Sequence, residues 1–407
     1  MRAIDPDPRA SAISARALAL ALCAGSSLLE GFNNQTLGVA APKLFPAFHL
    51  TPGQGSLLFT ATTAGLAIGS IFGGRWADRY GRKPLLLISV ALFGLCSLMT
   101  ALSTSLPVLF LARLGTGLGT GSAMPNAMAI SADAAPPRHR LMLVAMVTAA
   151  LPLGGATAGL LSLGMDAGWS WRSIFYAGGA PSLLLLLAMW RYLPTPESLT
   201  AKTQRAQTER PQTFSAALFG AGRALTTAEL WVAFFFLHMI LFMLLNWLPS
   251  LFIGLGFTHA QGSMSAFWFN LCGAIAGVLL ARMQSGPSRQ RWSILAYVGI
   301  GIALIALALS RSFLLATLAV GLAGTFVIGG QLVLYAMAPF YYPPSVRATG
   351  AGAAVASGRI GSVAGPLFAG ALLSSGATST TVLIGALPFA ALSCAAVLLL
   401  ARRGYAD

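Results

Sequence analysis

Acidic residues are scarce in this chain. Only 10 of its 407 residues are Asp or Glu, and charged residues of both signs make up 9% of the sequence. Hydrophobic residues make up 56%, and the mean hydropathy is +0.76. A soluble globular domain carries roughly 25% charged residues, so this composition excludes that class of protein. We expect a polytopic membrane protein embedded in a lipid bilayer.

Cysteine is equally rare. The four cysteines lie inside apolar segments and have neither the spacing of a disulfide framework nor that of a metal site, which favours buried thiols. The sequence also lacks a cluster of His, Asp or Glu with catalytic or metal-binding spacing. It therefore predicts a protein that is not an enzyme and holds no metal.

Long apolar runs fill most of the chain. A run of roughly 20 apolar residues can cross a bilayer as a helix. Twelve such runs lie near residues 17–41, 56–73, 84–102, 106–131, 141–165, 172–193, 227–254, 260–281, 292–310, 313–340, 347–373 and 380–401. We predict an all-α membrane protein of 12 transmembrane helices, with a six-helix bundle at residues 1–193, a polar cytoplasmic linker at 194–226 and a second six-helix bundle at 227–407.

The net charge of +15 is spread over short loops between the apolar runs. A nucleic-acid-binding face would gather these charges together, so no nucleic-acid partner is predicted. Of the 25 Lys and Arg residues, 20 lie on one side of the predicted membrane, 3 lie on the other side and two lie within spans. Because cytoplasmic loops are enriched in Lys and Arg, both termini are predicted to be cytoplasmic.

A short sequence recurs in the two halves of the chain. Pro-Pro-x-x-Arg occurs at residues 136–140 and again at 343–347, an offset of 207 residues that superposes the first predicted span on the seventh. Two parallel six-helix pseudo-repeats are typical of one large class of secondary transporters, whose substrate site lies between the halves near the midplane.

A polar stretch, LLEGFNNQ at residues 28–35, interrupts the first apolar run. An ionised side chain at the centre of a membrane helix costs roughly 2.5–3.5 kcal/mol, so Glu30 must be neutral, paired or facing a water-filled cavity. Glu30, Asn33 and Asn34 share one helix face, because their spacing is i, i+3 and i+4. Either these side chains only fix helix packing, or Glu30 takes up a proton on one side of the membrane and releases it on the other.

The loop between the second and third spans reads GGRWADRYGRKP, residues 73–84. It resembles the G-x-x-x-D-R-x-G-R-K signature of the major facilitator superfamily through Gly74, Asp78, Arg79, Gly81, Arg82 and Lys83. The resemblance implies that this loop is part of a cytoplasmic gate.

Two contacts are expected to close that gate. Asp78 is expected at the N-terminus of the helix that starts near Ala348, where free backbone amides favour an anion by roughly 0.3–1 kcal/mol. Asp133, at the inner end of the fourth span, is expected to pair with Arg79 or Arg82. Both contacts should form when the cavity opens outward and separate when it opens inward.

Further motifs resemble the aromatic acid:proton symporter branch of the superfamily, and most of all its hydroxyphenylpropionate transporters. They lie at residues 113–117, 124–126, 247–249, 329–331, 347–350 and 358–361. The resemblance implies a monomer of the bacterial inner membrane that imports a small aromatic carboxylate with protons. Such a protein needs no cofactor beyond the proton gradient.

The first span departs from the pattern of this branch. The branch has an acid-Gly-x-Asp sequence here, whereas this chain has Glu30-Gly31-Phe32-Asn33 and therefore lacks the second carboxylate. Either Glu30 alone couples transport to protons, or Asn33 is a neutralising substitution that holds one state.

Two arginines lie within predicted spans. Arg359, near the middle of the eleventh span, has no acid in its own helix. Its planar guanidinium suits a substrate carboxylate; the alternative is a structural pair with Glu30, and the two arrangements can alternate. Arg113, in the fourth span, is expected to line the outer cavity or to assist proton transfer.

Other polar and aromatic residues are candidates for substrate contact. His238 occupies the repeat position of Glu30 within one residue, and is either a substrate contact or a structural hydrogen-bonding group. Gln331 and Tyr335, spaced i and i+4, are expected to donate hydrogen bonds to a ring hydroxyl or a carboxylate. The predicted aromatic walls are Phe32, Phe242, Trp247 and Trp268.

The sequence is also compatible with other functions. A proton-coupled efflux antiporter of amphipathic compounds is the nearest alternative, although the fifth span, at residues 147–162, lacks the G-P-x-x-G-G ending typical of such exporters. A transporter of a non-aromatic organic acid is another. A membrane sensor without transport is disfavoured, since the sequence shows no soluble signalling domain.

Overall fold

A computed structural model of the protein describes residues 8–194, 214–220, 222–283, 289–343 and 346–403, and within these ranges the regular secondary structure is entirely helical. The N-terminal half contains α1 (Pro8–Ala47), α2 (Pro52–Tyr80), α3 (Arg82–Leu102), α4 (Leu106–Ala134), α5 (Arg140–Leu161) and α6 (Arg172–Tyr192). After the short α7 (Phe214–Phe219), the C-terminal half contains α8 (Ala224–Gly254), α9 (His259–Met283), α10 (Arg289–Leu309), α11 (Phe313–Met337), α12 (Arg347–Ser374), α13 (Ser379–Gly385) and α14 (Leu387–Arg403).

Twelve helical segments correspond to the twelve predicted spans, with α13 and α14 together covering the last one. Eight of the described helices are both long and apolar enough to cross a membrane. Most of the predicted linker at residues 194–226 lies outside the described residues.

The twelfth span is not the single helix that the sequence predicted. It turns at Ala386, between α13 and α14. Pro388 follows directly in the first turn of α14. Because proline lacks a backbone N–H and restricts the residue before it, a helix usually ends before this position.

Gly81 alone connects α2 to α3, within the charged motif. Its φ angle is 94°, a left-handed conformation that glycine adopts without steric cost. The Gly81 N–H donates to the Ala77 carbonyl at 2.9 Å and so ends α2. The motif therefore forms a tight turn between two antiparallel helices.

Close helix crossings in the N-terminal half depend on glycine. An added Cβ at Gly154 of α5 would overlap the carbonyl oxygen of Leu28 in α1. At Gly117 of α4, it would overlap the carbonyl oxygen of Thr62 in α2. Small residues allow helix backbones to approach this closely inside a membrane.

The same two crossings recur in the C-terminal half. Gly361 of α12 lies against the carbonyl oxygen of Phe235 in α8, and Gly324 of α11 lies against that of Phe269 in α9. Each of these four residues is 207 positions after its counterpart, the offset that also relates the two Pro-Pro-x-x-Arg sequences. Equivalent residues therefore make equivalent backbone contacts in the two halves.

We expect Gly154→Ala and Gly361→Ala each to lower the thermal unfolding temperature of the detergent-purified protein by several degrees, since forcing packed helices apart typically costs about 1–3 kcal/mol. Gly301→Ala in α10 is the matched control, because no atom lies within 4 Å of its added Cβ. This control should unfold at the wild-type temperature or slightly higher. Wild-type unfolding of Gly361→Ala would contradict the close crossing.

Candidate functional site

A carboxylate from one half and a guanidinium from the other face the same region. Glu30 of α1 is only 2% exposed, and Arg359 of α12 is half-buried. The charge of Arg359 acts on Glu30, yet neither residue is in any of the four ion pairs among the described residues. The Oε2 atom of Glu30 and the Nε atom of Arg359 are buried without a hydrogen-bond partner.

Asn34 lies one helical turn after Glu30 on the same face of α1. Its Oδ1 atom is also buried without a hydrogen-bond partner. A buried polar group without a partner costs about 1–3 kcal/mol, and such groups call for a missing partner such as water or a ligand. These atoms come from both halves of the chain, so a polar ligand between the halves would satisfy them together.

His238, Gln331 and Tyr335 form a hydrogen-bonded cluster in the C-terminal half. The Nε2 atom of His238 lies 3.2 Å from Tyr335 Oη and 3.3 Å from Gln331 Nε2. The imidazole is fully buried, while Gln331 and Tyr335 are half-buried. The charge of Arg359 also acts on His238. Electrostatic and hydrogen-bond contacts thus connect five of the predicted site residues: Glu30, Arg359, His238, Gln331 and Tyr335. Asn34 shares the helix face of Glu30.

Asn33 does not join this group. Its Nδ2 atom donates to the Leu29 carbonyl at 2.8 Å, to the Gly178 carbonyl at 3.3 Å and to Ser182 Oγ at 3.5 Å. The side chain is fully buried. In this conformation the Asn33 amide nitrogen joins α1 to α6, while its Oδ1 atom is buried without a hydrogen-bond partner. The predicted substrate contact of Asn33 stays a prediction.

This environment gives a physical reason for an amide at position 33. The three partners of Nδ2 comprise two carbonyl oxygens and a hydroxyl. An aspartate in the same orientation would place a carboxylate oxygen against two carbonyl oxygens, and an ionised carboxylate has no hydrogen to donate. Asn33 therefore fits the α1–α6 contact in a way that an ionised aspartate does not.

Arg113 is fully buried where α1, α2 and α4 meet. Its Nε donates to Thr62 Oγ1 at 3.2 Å, its Nη1 to Thr36 Oγ1 at 3.5 Å and its Nη2 to the Asn33 carbonyl at 3.4 Å. The guanidinium carbon lies 5.7 Å from the centre of the Phe175 ring. In this conformation, Arg113 ties α4 to α1 and α2. Its predicted role, either lining the outer cavity or assisting proton transfer, stays a prediction.

Two buried amides close the end of the bundle where α1 connects to α2, here called the α1–α2 end. Gln35 Nε2 donates to the Leu245 carbonyl of α8 at 2.9 Å, and Asn270 Nδ2 of α9 donates to Gln35 Oε1 at 3.1 Å. We call Gln35, Asn270 and the Leu245 carbonyl the amide latch. It joins the two halves of the chain.

Trp247 strengthens the same closure. Its ring centre lies 5.9 Å from that of Phe45 and 5.1 Å from that of Phe59, both in the N-terminal half. Its indole N–H donates to the Pro366 carbonyl at 3.1 Å. Trp247 therefore seals the α1–α2 end. The other predicted wall residues pack within the hydrophobic core: Phe32, Phe242 and Trp268.

The opposite end, where α2 connects to α3, has an ion pair confined to the N-terminal half. Asp133 Oδ2 lies 2.6 Å from Arg82 Nη1, and Asp133 Oδ1 lies 3.8 Å from Arg140 Nη2. Arg79 instead lies over the ring of Tyr80, at 5.3 Å. Of the two partners predicted for Asp133, the structure selects Arg82.

The motif makes no described contact with the C-terminal half at this α2–α3 end. Asp78 is exposed and forms none of the ion pairs among the described residues. Open space surrounds the position of an added Cβ at Gly74. The predicted contact of Asp78 with the N-terminus of α12 stays a prediction, since residues 344 and 345, directly before α12, lie outside the described residues.

Several residues of these contacts were not predicted from the sequence. Asn270 is a buried amide within an apolar run, a signal that the sequence does contain. Thr36 and Thr62 are common small polar residues with no such signal. Their role depends on the packing of α1 and α2 around Arg113.

Comparisons with known proteins agree with this architecture. Residues 23–333 match the Major Facilitator Superfamily. The chain is 38% identical to the 3-(3-hydroxy-phenyl)propionate transporter of Escherichia coli (strain K12), over 95% of this chain and 94% of that protein. It is 31% identical to the Gallate transporter of Pseudomonas putida, over 88% of this chain and 86% of that protein.

Solved structures share the fold. A bacterial homolog to the human lysosomal transporter Spinster, in an inward-facing and occupied conformation, has a TM-score of 0.74 over 95% of this chain and 97% of that chain. A D-xylose-proton symporter has a TM-score of 0.75 over 94% of this chain and 96% of that chain. Both are 18% identical to this sequence, which is a likeness of fold alone.

The family match and the curated relatives confirm the resemblance stated from the motifs, and they identify a transporter rather than an enzyme. Together with the long apolar helices, they place the protein in the bacterial inner membrane, which it crosses several times. The chain therefore belongs to the Major Facilitator Superfamily, and its relatives include transporters of aromatic acids.

Proposed function

We propose that this protein imports a hydroxyphenylpropionate-like or hydroxybenzoate-like carboxylate together with protons, by alternating access between its two halves. The observation that carries this proposal is the pair of opposite charges, Glu30 and Arg359, which lie in different halves beside buried polar atoms without partners. The names of the curated relatives support the aromatic-acid class of substrate.

Arg359 anchors the substrate in this proposal. A guanidinium binds a carboxylate through two parallel hydrogen bonds, and Arg359 has no ion-pair partner among the described residues. Asn34 lies on the facing side, on α1, and its unpartnered Oδ1 atom can accept a hydrogen bond from the ligand or from water. Gln331 and Tyr335 line the site on the α11 side.

Proton coupling follows from the charge balance inside the membrane. Without substrate, and with water reaching the site from its open side, Glu30 is ionised and its negative charge offsets the positive charge of Arg359. A substrate carboxylate bound to Arg359 takes over that role, and a second buried negative charge is costly. Glu30 therefore takes up a proton when substrate binds, and it releases the proton when substrate leaves. Arg113 positions α1 for this exchange by holding the backbone of Asn33.

The distribution of Lys and Arg supports a cytoplasmic location for both termini and for the α2–α3 end. The amide latch then closes the outer side, and the site opens toward the cytoplasm. The recurring glycine contacts at an offset of 207 residues support two six-helix pseudo-repeats, N-terminal and C-terminal to the linker. One such pair of halves encloses a complete site, so we propose that the monomer transports.

The charged motif closes the cytoplasmic side in the other conformation. Movement of α12 toward α2 would bring the N-terminus of α12 to Asp78, where its free amides favour a negative charge. Arg82 and Asp133 hold the motif in place through their ion pair. This pair is formed in the conformation that we assign as open to the cytoplasm, so it does not separate there as the sequence led us to expect. Gly74 leaves open space for the approach, and Arg79 borders the same surface.

Proteoliposomes with an inward proton gradient should accumulate 3-(3-hydroxyphenyl)propionate. Arg359→Ala should weaken binding about tenfold or more, since a hydrogen bond to a charged group contributes roughly 1.5–3 kcal/mol. Arg311→Ala is the matched control, because Arg311 is exposed in a loop, and it should bind and transport as wild type. Uptake of radiolabelled substrate and equilibrium binding measure the two effects.

Three other results of that experiment would contradict parts of the proposed function. Gradient-driven expulsion of the acid would indicate an efflux antiporter instead. Accumulation of aliphatic acids in preference to aromatic ones would contradict the substrate class. Unaltered affinity in Arg359→Ala would rule out this arginine as the anchor.

Removing the amide latch should loosen the outer closure. Gln35→Ala or Asn270→Ala removes a buried hydrogen bond between the halves, a loss of about 1 kcal/mol that corresponds to roughly a fivefold shift in an equilibrium. A cysteine introduced at Ser56, which is buried against Gly370 of α12, reports the opening. Its labelling rate with a membrane-impermeant maleimide, in a cysteine-free background, should rise about fivefold in both variants.

Asn246→Ala is the control for the latch. Asn246 is also a buried amide of α8, but its Nδ2 atom donates within its own helix, to the Phe242 carbonyl at 2.7 Å. Its loss should leave the labelling rate at Ser56 near wild type. Equal rates in all three variants would show that the latch does not hold the outer side closed.

A further inference from the structure

The imidazole of His238 lies between α8 and α12, in space that the absence of a side chain at Gly358 leaves open. An added Cβ at Gly358 would lie 2.8 Å from His238 Nδ1, so a larger residue there would displace the ring. The Phe234 ring stacks on the imidazole with a centre separation of 5.7 Å and an interplanar angle of 16°. The position of the ring is therefore fixed on two sides.

The N-terminal half has the same crossing without an imidazole. His238 and Gly358 are 207 residues after Gly31 and Leu151. In the N-terminal half the glycine is on α1, where Gly31 lies against the backbone of Leu151. In the C-terminal half the glycine is on the other helix, at Gly358, and the equivalent of Gly31 is His238. This exchange keeps the crossing close and makes room for a polar ring beside Arg359.

The hydrogen bonds of the ring define its tautomer. Nδ1 lies 2.9 Å from the Phe234 carbonyl oxygen, which can only accept, so Nδ1 carries the hydrogen. His238 is in none of the four ion pairs among the described residues. A charge on this fully buried ring would therefore be unpaired and costly. The ring is neutral, and Nε2 is a hydrogen-bond acceptor.

Tyr335 and Gln331 supply the donors to Nε2. The Tyr335 hydroxyl, with its single hydrogen, lies 3.2 Å from Nε2, and the Gln331 amide nitrogen lies 3.3 Å from it. The sequence predicted that these two side chains donate to the ligand. In the structure they donate to His238. The single hydrogen of Tyr335 is used in this way, so Tyr335 Oη offers only lone pairs to a ligand, whereas Gln331 keeps Oε1 as an acceptor and its second N–H as a donor.

Resting on the proposed function, we propose that His238 sets the hydrogen-bond polarity of the aromatic-acid site, so that Tyr335 Oη accepts a hydrogen bond from a ring hydroxyl and Gln331 Oε1 is available as a second acceptor. Arg359 binds the ligand carboxylate at the same time. The acceptors repel a carboxylate and attract a hydroxyl donor, so they also orient the ligand. His238 is a positioning residue, because its ring is fully buried and acts through its two neighbours.

This polarity distinguishes a ring hydroxyl from a ring ether. A phenol donates a hydrogen bond, whereas a methoxy group of similar position can only accept. Because Tyr335 Oη can only accept, the site favours the phenol over the methoxy group, and an aromatic acid without a ring substituent leaves Tyr335 Oη unpaired. The expected substrate class is an aromatic carboxylate with a free hydroxyl on the ring, remote from the carboxylate.

The test measures equilibrium binding of three ligands to the purified full-length protein: 3-(3-hydroxyphenyl)propionate, its 3-methoxy analogue and 3-phenylpropionate. Wild type should bind the hydroxylated acid about tenfold or more tightly than either of the other two. In His238→Leu this ratio should fall to about threefold or less, because the freed donors of Tyr335 and Gln331 can serve either oxygen. Affinity for 3-phenylpropionate should stay near wild type.

Further variants separate positioning from folding. His238→Gln keeps a hydrogen-bond acceptor and should retain most of the wild-type ratio. Gly358→Ala, which displaces the ring without removing it, should reduce the ratio as His238→Leu does. Tyr335→Phe removes one acceptor and should weaken binding of the hydroxylated acid alone.

The possible failures are distinguishable. Uniform weakening of all three ligands in His238→Leu and Gly358→Ala, with an unchanged ratio, would overturn the inference and leave the proposed transport of aromatic acids intact. Equal affinity of wild type for the hydroxylated and methoxy ligands would overturn it as well. Absence of binding of all three ligands to wild type would contradict the proposed function itself.

Discussion

Charge compensation within the membrane is the constraint on which the rest of the structure depends. Glu30 and Arg359 are held by different halves of the chain, near enough to interact but outside ion-pair distance. A full ion pair would neutralise the charges and complete the hydrogen bonds of both groups. A substrate anion would then gain little free energy by binding to Arg359. Separated charges with unpartnered atoms leave room for a carboxylate ligand, and in the proposed mechanism they link that ligand to the protonation of Glu30.

Helix α1 connects this exchange to the movement of the halves. It carries Glu30, the Asn33 carbonyl that accepts from Arg113, and Gln35 of the amide latch. These groups lie within two helical turns. In the proposed mechanism, a shift of α1 caused by protonation of Glu30 would therefore reach the latch directly, without a long chain of intervening contacts. The glycine crossing holds α1 and α5 in backbone contact.

Much of this arrangement was predictable, because charges in apolar runs are conspicuous. Glu30 and Arg359 stand out for that reason, and the repeat offset of 207 residues relates the two halves. The direction of the Asn33 amide was not predictable. Successive helix positions differ by about 100°, so Asn33 lies at the edge of the face shared by Glu30 and Asn34. Only the packing of α6 shows which neighbours it contacts. The donor and acceptor roles of the α11 side chains likewise depend on a histidine from another helix.

In the proposed mechanism, a bound carboxylate replaces Glu30 as the partner of Arg359, and Glu30 then takes up a proton. Proton uptake on ligand binding, measured with a pH-sensitive dye in weakly buffered detergent solution, tests it most directly. Wild type should take up about one proton for each ligand bound. Glu30→Gln should bind the ligand without taking up protons. Proton uptake that persists in Glu30→Gln, or ligand binding to wild type without proton uptake across the neutral pH range, would contradict the claim.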